Sequence, residues 1–553
     1  MSTNVNTTLA VGAAVIAAGT TAYALSSRAR PFYTANEIGQ PVDTLSAKSS
    51  KDRKSSTTAN HEFDFVIVGG GTAAMVLANR LTEQSDVNVL VIEAGKTSRG
   101  VPASRIPGAF FQLQRTERDW SYWTTPQKGC HNRELAWTRT KILGGCSSGN
   151  AMMFNLGAPQ DYDEWARLQK GAEGAEGWAY KGFKKAAYLT PEVLARPNLK
   201  VVCGAQVTKI RFNDAKRAIG VEFGEKKDGP VYFVGARKEV ILSAGAINTS
   251  QILLSGIGPQ SELTKHSIPI VQHLPGVGQN LADHIVFNSC FPTRPGYSAG
   301  RYYTPKNFGE QLSQLGAIAQ YLIKGRGPMT TNVQQCVAFV RVGDGKIGRK
   351  VDGGEGDVRE DSTSGEDAPD VEVMVAPMVW RDHGHKKFDV PEAITITTSV
   401  LRPTSKGTVT LKSADPWAKP LIDPCYLATK HDVDILVRSV KLAYQFTNTE
   451  PLKSAIDQTV KHPLLDHDLG SKSKAEIEDV IRSRAETGYH PSCTARMAPL
   501  EDGGVVDARL RVYGVEGLRV VDASVQPEIV SGHTTGPTTA IAERAADLIK
   551  EDC

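Results

Sequence analysis

Apolar residues run through Val66, Ile67 and Val68 and stop at three glycines, Gly69, Gly70 and Gly71. A short β-branched run closed by glycine reads as a strand buried on both faces. Beyond the glycines the spacing changes, and Ala73, Val76, Leu77 and Leu81 recur at the helical period. A second run, Val87 to Ile92, is apolar except for Asn88 and is closed by Glu93. Strand, glycine turn, helix and strand make one βαβ unit.

The turn has the form Gly69-x-Gly71-x-x-Ala74. Gly69 permits the tight turn, Gly71 lets backbone approach a pyrophosphate, and Ala74 is small enough for close helix–strand packing. The helix start then offers free N–H groups to phosphate, through Thr72 and Ala73. Glu93, with Ala94 after it, falls near the spacing at which a carboxylate takes a ribose hydroxyl pair.

Further along, 198–202 and 206–210 read as sheet strands, and 240–242 as another buried strand. Residues 290–485 mix strands and helices and read as a second domain. Within it, Ala393 to Val400 and Gly407 to Leu411 are strand-like, and Asp432 to Phe446 has helical spacing. Gly343 to Asp367, charged and glycine-rich, reads as a solvated loop. Leu518 to Ser524 is a strand leaving into a turn, and 538–549 is a final helix.

Composition narrows the classes. The 553 residues are 40% hydrophobic and 22% charged, which excludes gross disorder, and the net charge of +4 argues for no nucleic-acid partner. Eight scattered cysteines show no metal-type or disulfide-framework spacing, so no structural metal is expected. Leu9 to Leu25 is an uncharged run of 17 residues, at the short limit for a membrane span, with Arg28 and Arg30 after it. It is read as a single N-terminal anchor, with a cleaved signal peptide and secretion as the alternative. Residues 31–60 then form a tether.

Two later stretches resemble a known family. Gly144-Gly145-Cys146-Ser147-Ser148-Gly149-Asn150-Ala151-Met152-Met153 is similar to the first signature of the glucose–methanol–choline (GMC) flavin oxidoreductases, and Gly245 to Pro259 resembles the second. The resemblance implies FAD, with Asn150, Ala151, Met152 and Met153 beside the isoalloxazine ring and Val207 on the adenine side. Asp522, Ala523, Thr534 and Thr535 are carried over as flavin contacts. In choline oxidase a histidine at the position of Gly149 carries the flavin covalently; glycine cannot, so non-covalent FAD is expected. Three departures stand out. The second signature is one residue short before Ser255, Ser492-Cys493 replaces a Val-Gly-like pair, and 177–189 is abrupt where the family has several tens more residues.

The family also implies a histidine pair, matched by His490 in Tyr489-His490-Pro491 and by His533 in Gly532-His533-Thr534. Alcohol oxidation needs a base for the hydroxyl proton while hydride leaves carbon, and a neutral imidazole suits that task. His490 is the first choice for base and His533 for its partner, although sequence alone does not assign the roles. His284 is read as a packed structural residue.

The expected fold is thus α/β: a Rossmann-like FAD-binding domain from 62–157, 195–290 and 486–553. A second α+β substrate domain, built on an antiparallel sheet, comes from 158–194 and 291–485. The expected reaction is oxidation of a small-molecule alcohol to a carbonyl compound, with oxygen or another electron acceptor. Other flavin chemistry on the same scaffold, such as photodecarboxylation or a lyase step, or an impaired member, are the alternatives.

Overall fold

A computed structural model describes residues 32–43, 61–182, 190–334, 336–342, 361–384, 389–390 and 392–553. The apolar run 9–25, the heart of the abrupt junction (183–189) and most of the glycine-rich loop (343–360) lie outside the described residues. Among the described residues no helix is long and apolar enough to cross a membrane.

The βαβ unit forms as its pattern requires. Strand β1 (Glu62–Val68) leads through the glycines into α1 (Thr72–Leu81) and back to β2 (Val89–Glu93). β1 and β2 pair in parallel, Phe65 opposite Val89. Every residue of β2 is buried, which is why no alternation shows in its sequence. The sheet continues with β3 (Leu199–Cys203), β4 (Gln206–Phe212), β5 (Ala218–Gly224) and β6 (Tyr232–Leu242), in the order β3-β2-β1-β6-β5-β4. β6 lies parallel to β1 but antiparallel to β5, so the sheet is mixed.

Helix α2 (Gly245–Leu253) leaves β6 and ends before Ser255. The one-residue shortening therefore falls in the closing turn, where the Ser255 N–H donates to Ile252 O at 3.1 Å, and rotates no helical face.

A second sheet is antiparallel throughout. Its strands are β7 (Ile285–Pro292), β8 (Cys336–Val340), β9 (Val371–Ala376), β10 (Ala393–Val400) and β11 (Glu486–Thr487), in the order β8-β9-β10-β7-β11. Helix α3 (Lys430–Thr447) packs Val433, Leu436, Val437 and Val440 into the core shared with β7 and β10. The chain then returns to the first sheet: β12 (Leu518–Val520) pairs in parallel with β6, Leu518 opposite Val240. The final helix α4 (Thr535–Glu551) starts where the two sheets approach each other.

Candidate active site

The first cavity opens at the C-terminal ends of β1, β2 and β6, where strand order reverses about β1 and where α1 begins. Gly69 has φ +95°, and a Cβ there would fall 2.6 Å from Ser243 O, so the turn after β1 admits only glycine. Gly71 differs: a Cβ would meet nothing nearer than Ser243 O at 3.8 Å. Its open side faces the cavity at the head of α1. Ala74 is fully buried on α1, a packing role that keeps it off the cavity wall.

The Glu93 carboxylate accepts from the Gly70 and Gly95 N–H groups, each at 2.6 Å. Burial pushes it up to about 7 in spite of those donors and of Lys141 nearby. Across the cavity, Asp522 accepts from the Gly245 N–H at 2.9 Å and the Thr249 hydroxyl at 2.6 Å, locking the end of β12 to the start of α2. Of the residues singled out from sequence, Gly69, Gly71, Thr72, Ala73, Glu93, Ala94, Val207, Asp522, Ala523, Thr534 and Thr535 line this space. It encloses about 1240 Å³, open mouth included.

A second cavity of about 1070 Å³ lies against the antiparallel sheet. Asn150, Ala151, Met153, His490, His533, Thr534 and Thr535 line it. The two spaces share Arg139, Thr140, Cys146, Thr534 and Thr535, so they meet at the head of α4. Met152 is the exception to the sequence reading. It takes φ 55°, is 45% exposed, and lines neither cavity.

The strand pleat builds the sheet wall, because alternate residues face one side. Val286 and Asn288 of β7, Ser399 and Thr397 of β10, and Glu372 and Met374 of β9 form two cross-strand rows, all facing the cavity. The lower row is wired: the Thr397 hydroxyl donates to Asn288 Oδ1 at 2.6 Å, and Asn288 Nδ2 donates to Glu486 at 3.2 Å. Phe110, Trp380 and Tyr489 supply aromatic lining.

Pairing of β7 with β11 places His284 beside Gly488, two residues before His490. His284 Nε2 faces two carbonyl oxygens, Leu401 O at 2.9 Å and Val530 O at 3.1 Å. Carbonyls only accept, so Nε2 carries the hydrogen. Burial, with His533 nearby, pushes His284 down to about 3, so the ring is neutral and its Nδ1 is a bare lone pair. That lone pair lies 2.9 Å from His490 Nδ1, which must be the donor. His490 is therefore the Nδ1–H tautomer, and its Nε2 is left with a lone pair. Burial first, then His533 and His284, hold His490 well below its ordinary value. Its own N–H donates to the buried Asp283 at 2.6 Å.

The His533 ring stands edge-on to His490, centroids 4.8 Å apart. Its Nε2 lies 2.8 Å from Glu372 Oε1, and its backbone N–H donates to Asn155 at 2.9 Å. A Cβ on the preceding Gly532 would fall 2.3 Å from the same Asn155 oxygen, so this loop is pinned. In the replaced pair Ser492-Cys493, Cys493 takes φ 73°, a left-handed conformation that glycine adopts freely.

Sequence reasoning missed Glu372 and Arg139. A lone carboxylate inside the apolar run Val371-Glu372-Val373-Met374-Val375 was the available signal for the first. Among the described residues no His, Cys, Asp and Glu cluster is arranged to hold a metal ion.

Two family models, described as GMC oxidoreductase, match this chain, one at 403–542 and the other at 63–188 and 181–286. The two pieces of the second meet at the abrupt junction seen in the sequence. A dehydrogenase, str4, from Strobilurus tenacellus is 34% identical, covering 88% of this chain and 94% of its own length. Mouse mitochondrial choline dehydrogenase is 33% identical, covering 93% and 92%. The first alignment runs over 590 positions yet covers only 88% of 553 residues, so about a hundred positions of that relative have no counterpart here. Among solved structures, an Aspergillus oryzae formate oxidase variant superposes with TM-score 0.77 at 25% identity, covering 89% of this chain and 98% of its own. With its βαβ cradle, its paired imidazoles and these matches, the chain belongs to the GMC oxidoreductase family and is an FAD flavoprotein oxidoreductase.

Proposed function

We propose that this protein oxidises an alcohol CH–OH group to a carbonyl, with FAD held non-covalently in the first cavity and the alcohol in the second. The observation that carries the reading is the fixed tautomer of His490 beside His533, on the wall of the second cavity and each one residue before a residue, Pro491 or Thr534, that lines the first. The cradle fits the cofactor: Gly71 leaves open the space a pyrophosphate needs, and Glu93 stands ready for a ribose. When bound, FAD supplies the hydride acceptor.

The remaining work falls to the protein. His490 Nε2, a lone pair held neutral by burial, takes the hydroxyl proton as the C–H bond breaks. His533 holds the substrate oxygen in register, its ring steadied by Glu372. The N–H groups at the head of α4 favour negative charge that develops nearby. Phe110 and Trp380 shield the reacting carbon from water, and the Asn288–Thr397 row offers hydrogen bonds to a polar end of the substrate. Dissociable FAD rests on Gly149, which has no side chain to attach. A Cβ there would already fall 2.6 Å from Thr140 Oγ1.

Two measurements test this. Acid precipitation should release all flavin to the supernatant; flavin remaining on the polypeptide contradicts non-covalent binding. His490→Ala and His533→Ala should retain bound FAD and slow its reduction by alcohol about 10²–10⁴-fold. Unchanged reduction in both removes the assignment.

A further inference from the structure

Arg139 stands on the wall of both cavities, and its guanidinium turns to the main chain: Nη1 donates to Tyr489 O at 2.6 Å. The N–H of Arg139 itself donates to Asp119 Oδ1 at 2.9 Å, so the arginine is fixed at its root. On the far side, the His490 N–H donates to Asp283 Oδ1, also at 2.6 Å. Tyr489 O and His490 N–H belong to one peptide unit. A cation therefore grips one end of that unit and an anion the other.

The backbone here needs such a grip. β7 and β11 pair Ile285 with Thr487, and a bridge further on pairs Ala282 with Ser492. Between those points one segment has two residues, Asp283 and His284, while the other has four, Gly488 to Pro491. The extra residues bow out of the ladder as a bulge, a device that re-aims a side chain. Within it Tyr489 takes φ 64°, a left-handed conformation that is costly for a bulky residue. Relaxing φ would swing the Tyr489 N–H away from Thr487 Oγ1, which it meets at 2.8 Å, or swing the following peptide away from Arg139 and Asp283. Asp283 is anchored in turn. The Thr487 hydroxyl donates to its Oδ2 at 2.6 Å, the Tyr426 hydroxyl donates to the same oxygen, and Trp137 Nε1 donates to Tyr426 at 3.0 Å.

We propose that Arg139 and Asp283 are positioning residues that clamp the Tyr489–His490 peptide and so fix the direction in which His490 presents Nε2. A planar peptide held at its oxygen and at its N–H has no freedom to turn over without losing two charge-assisted hydrogen bonds. The main chain of His490 is thus set by this pair and its ring by His284, the residue next to Asp283. The inference rests on His490 as the base.

The test uses the full FAD-bound chain with isotopically labelled histidine. Imidazole nitrogen shifts, read without any alcohol, should show His490 in the parent as the Nδ1–H form alone. Arg139→Met and Asp283→Asn should each mix in the Nε2–H form as the ring leaves His284. At saturating alcohol, each should slow flavin reduction about 10–100-fold, as for a base displaced by about an ångström, with FAD and alcohol affinities kept. Arg139→Lys should recover most of the rate, because a single donor serves a carbonyl. The double variant should be no slower than the slower single one, since both losses release the same peptide. A pure Nδ1–H form in the variants, or losses that multiply in the double variant, overturns the proposal. Arg139 is half-buried, so its exchange decides the matter even where Asp283→Asn does not fold. A parent whose flavin no alcohol reduces removes the oxidation reading instead, and the tautomer spectra still decide the clamp.

Discussion

The two outer glycines of the cradle should fail in different ways when each is changed to alanine. At Gly69, φ is +95° and the new methyl would sit 2.6 Å from Ser243 O, a backbone atom held by the sheet. Left-handed backbone costs an L-residue about 1–2 kcal/mol. Displacing the strand end adds to that, so a total loss of about 2–4 kcal/mol of folding stability is expected, in the range of other strained-backbone substitutions. At Gly71, φ is −85° with extended ψ, and the nearest atom to the methyl is 3.8 Å away. Folding stability should change by no more than about 0.5 kcal/mol, since the conformation suits any residue. The methyl instead enters space assigned to pyrophosphate and weakens charge-assisted hydrogen bonds worth about 1.5–3 kcal/mol. That corresponds to FAD binding about 10–150-fold weaker. Thermal unfolding of the apoprotein and titration with FAD, followed by flavin fluorescence, separate the two effects. The reasoning fails if Gly71→Ala binds FAD within threefold of the parent, or if its apoprotein unfolds as readily as that of Gly69→Ala.

Other perturbations give distinct signatures. Because His490 is held well below its ordinary value, it stays unprotonated as pH falls. The acid limb of alcohol-driven flavin reduction should therefore lie below pH 6.5, and stopped-flow rates that halve between pH 8 and pH 7 would contradict the wiring. His284→Leu removes the acceptor that fixes His490 Nδ1–H. Reduction should slow about 10–100-fold, as for other lost positioning contacts, with FAD affinity unchanged. Parent-like reduction would make His284 merely a packed residue. Glu372→Gln removes the charge beside His533. Loss of charge assistance, about 1.5–3 kcal/mol at most, should slow reduction about 10–150-fold without altering the flavin spectrum, and an unchanged rate would exclude a role.

The nucleotide cradle was legible because its chemistry is local. Gly69, Gly71 and Ala74 sit at fixed spacing between a strand and a helix: Gly69 fills a turn that admits only glycine, Gly71 leaves space open, and Ala74 is buried. The substrate wall was not legible in the same way. Glu372 reaches His533 only because β9 lies two strands from β7 with one particular register, and pairing register is a long-range outcome. His284 was read as a packed residue, and it is fully buried; its contact with His490, 206 positions away, comes from the pairing of β7 with β11. Met152 is expected beside the flavin because the family resemblance places Asn150 to Met153 there. A single left-handed residue is enough to turn a side chain out of a site, and periodicity carries no sign of that.

The central claim is that His490, on the wall of the second cavity, takes an alcohol's hydroxyl proton as hydride passes from its carbon to flavin in the same protein. Anaerobic addition of alcohols to the purified FAD-bound chain, watched in the flavin absorbance near 450 nm, tests this directly. The account predicts bleaching by at least one alcohol in the parent and its near-absence in His490→Ala with FAD still bound. A parent that stays yellow with every alcohol, or a variant that bleaches as fast, contradicts it.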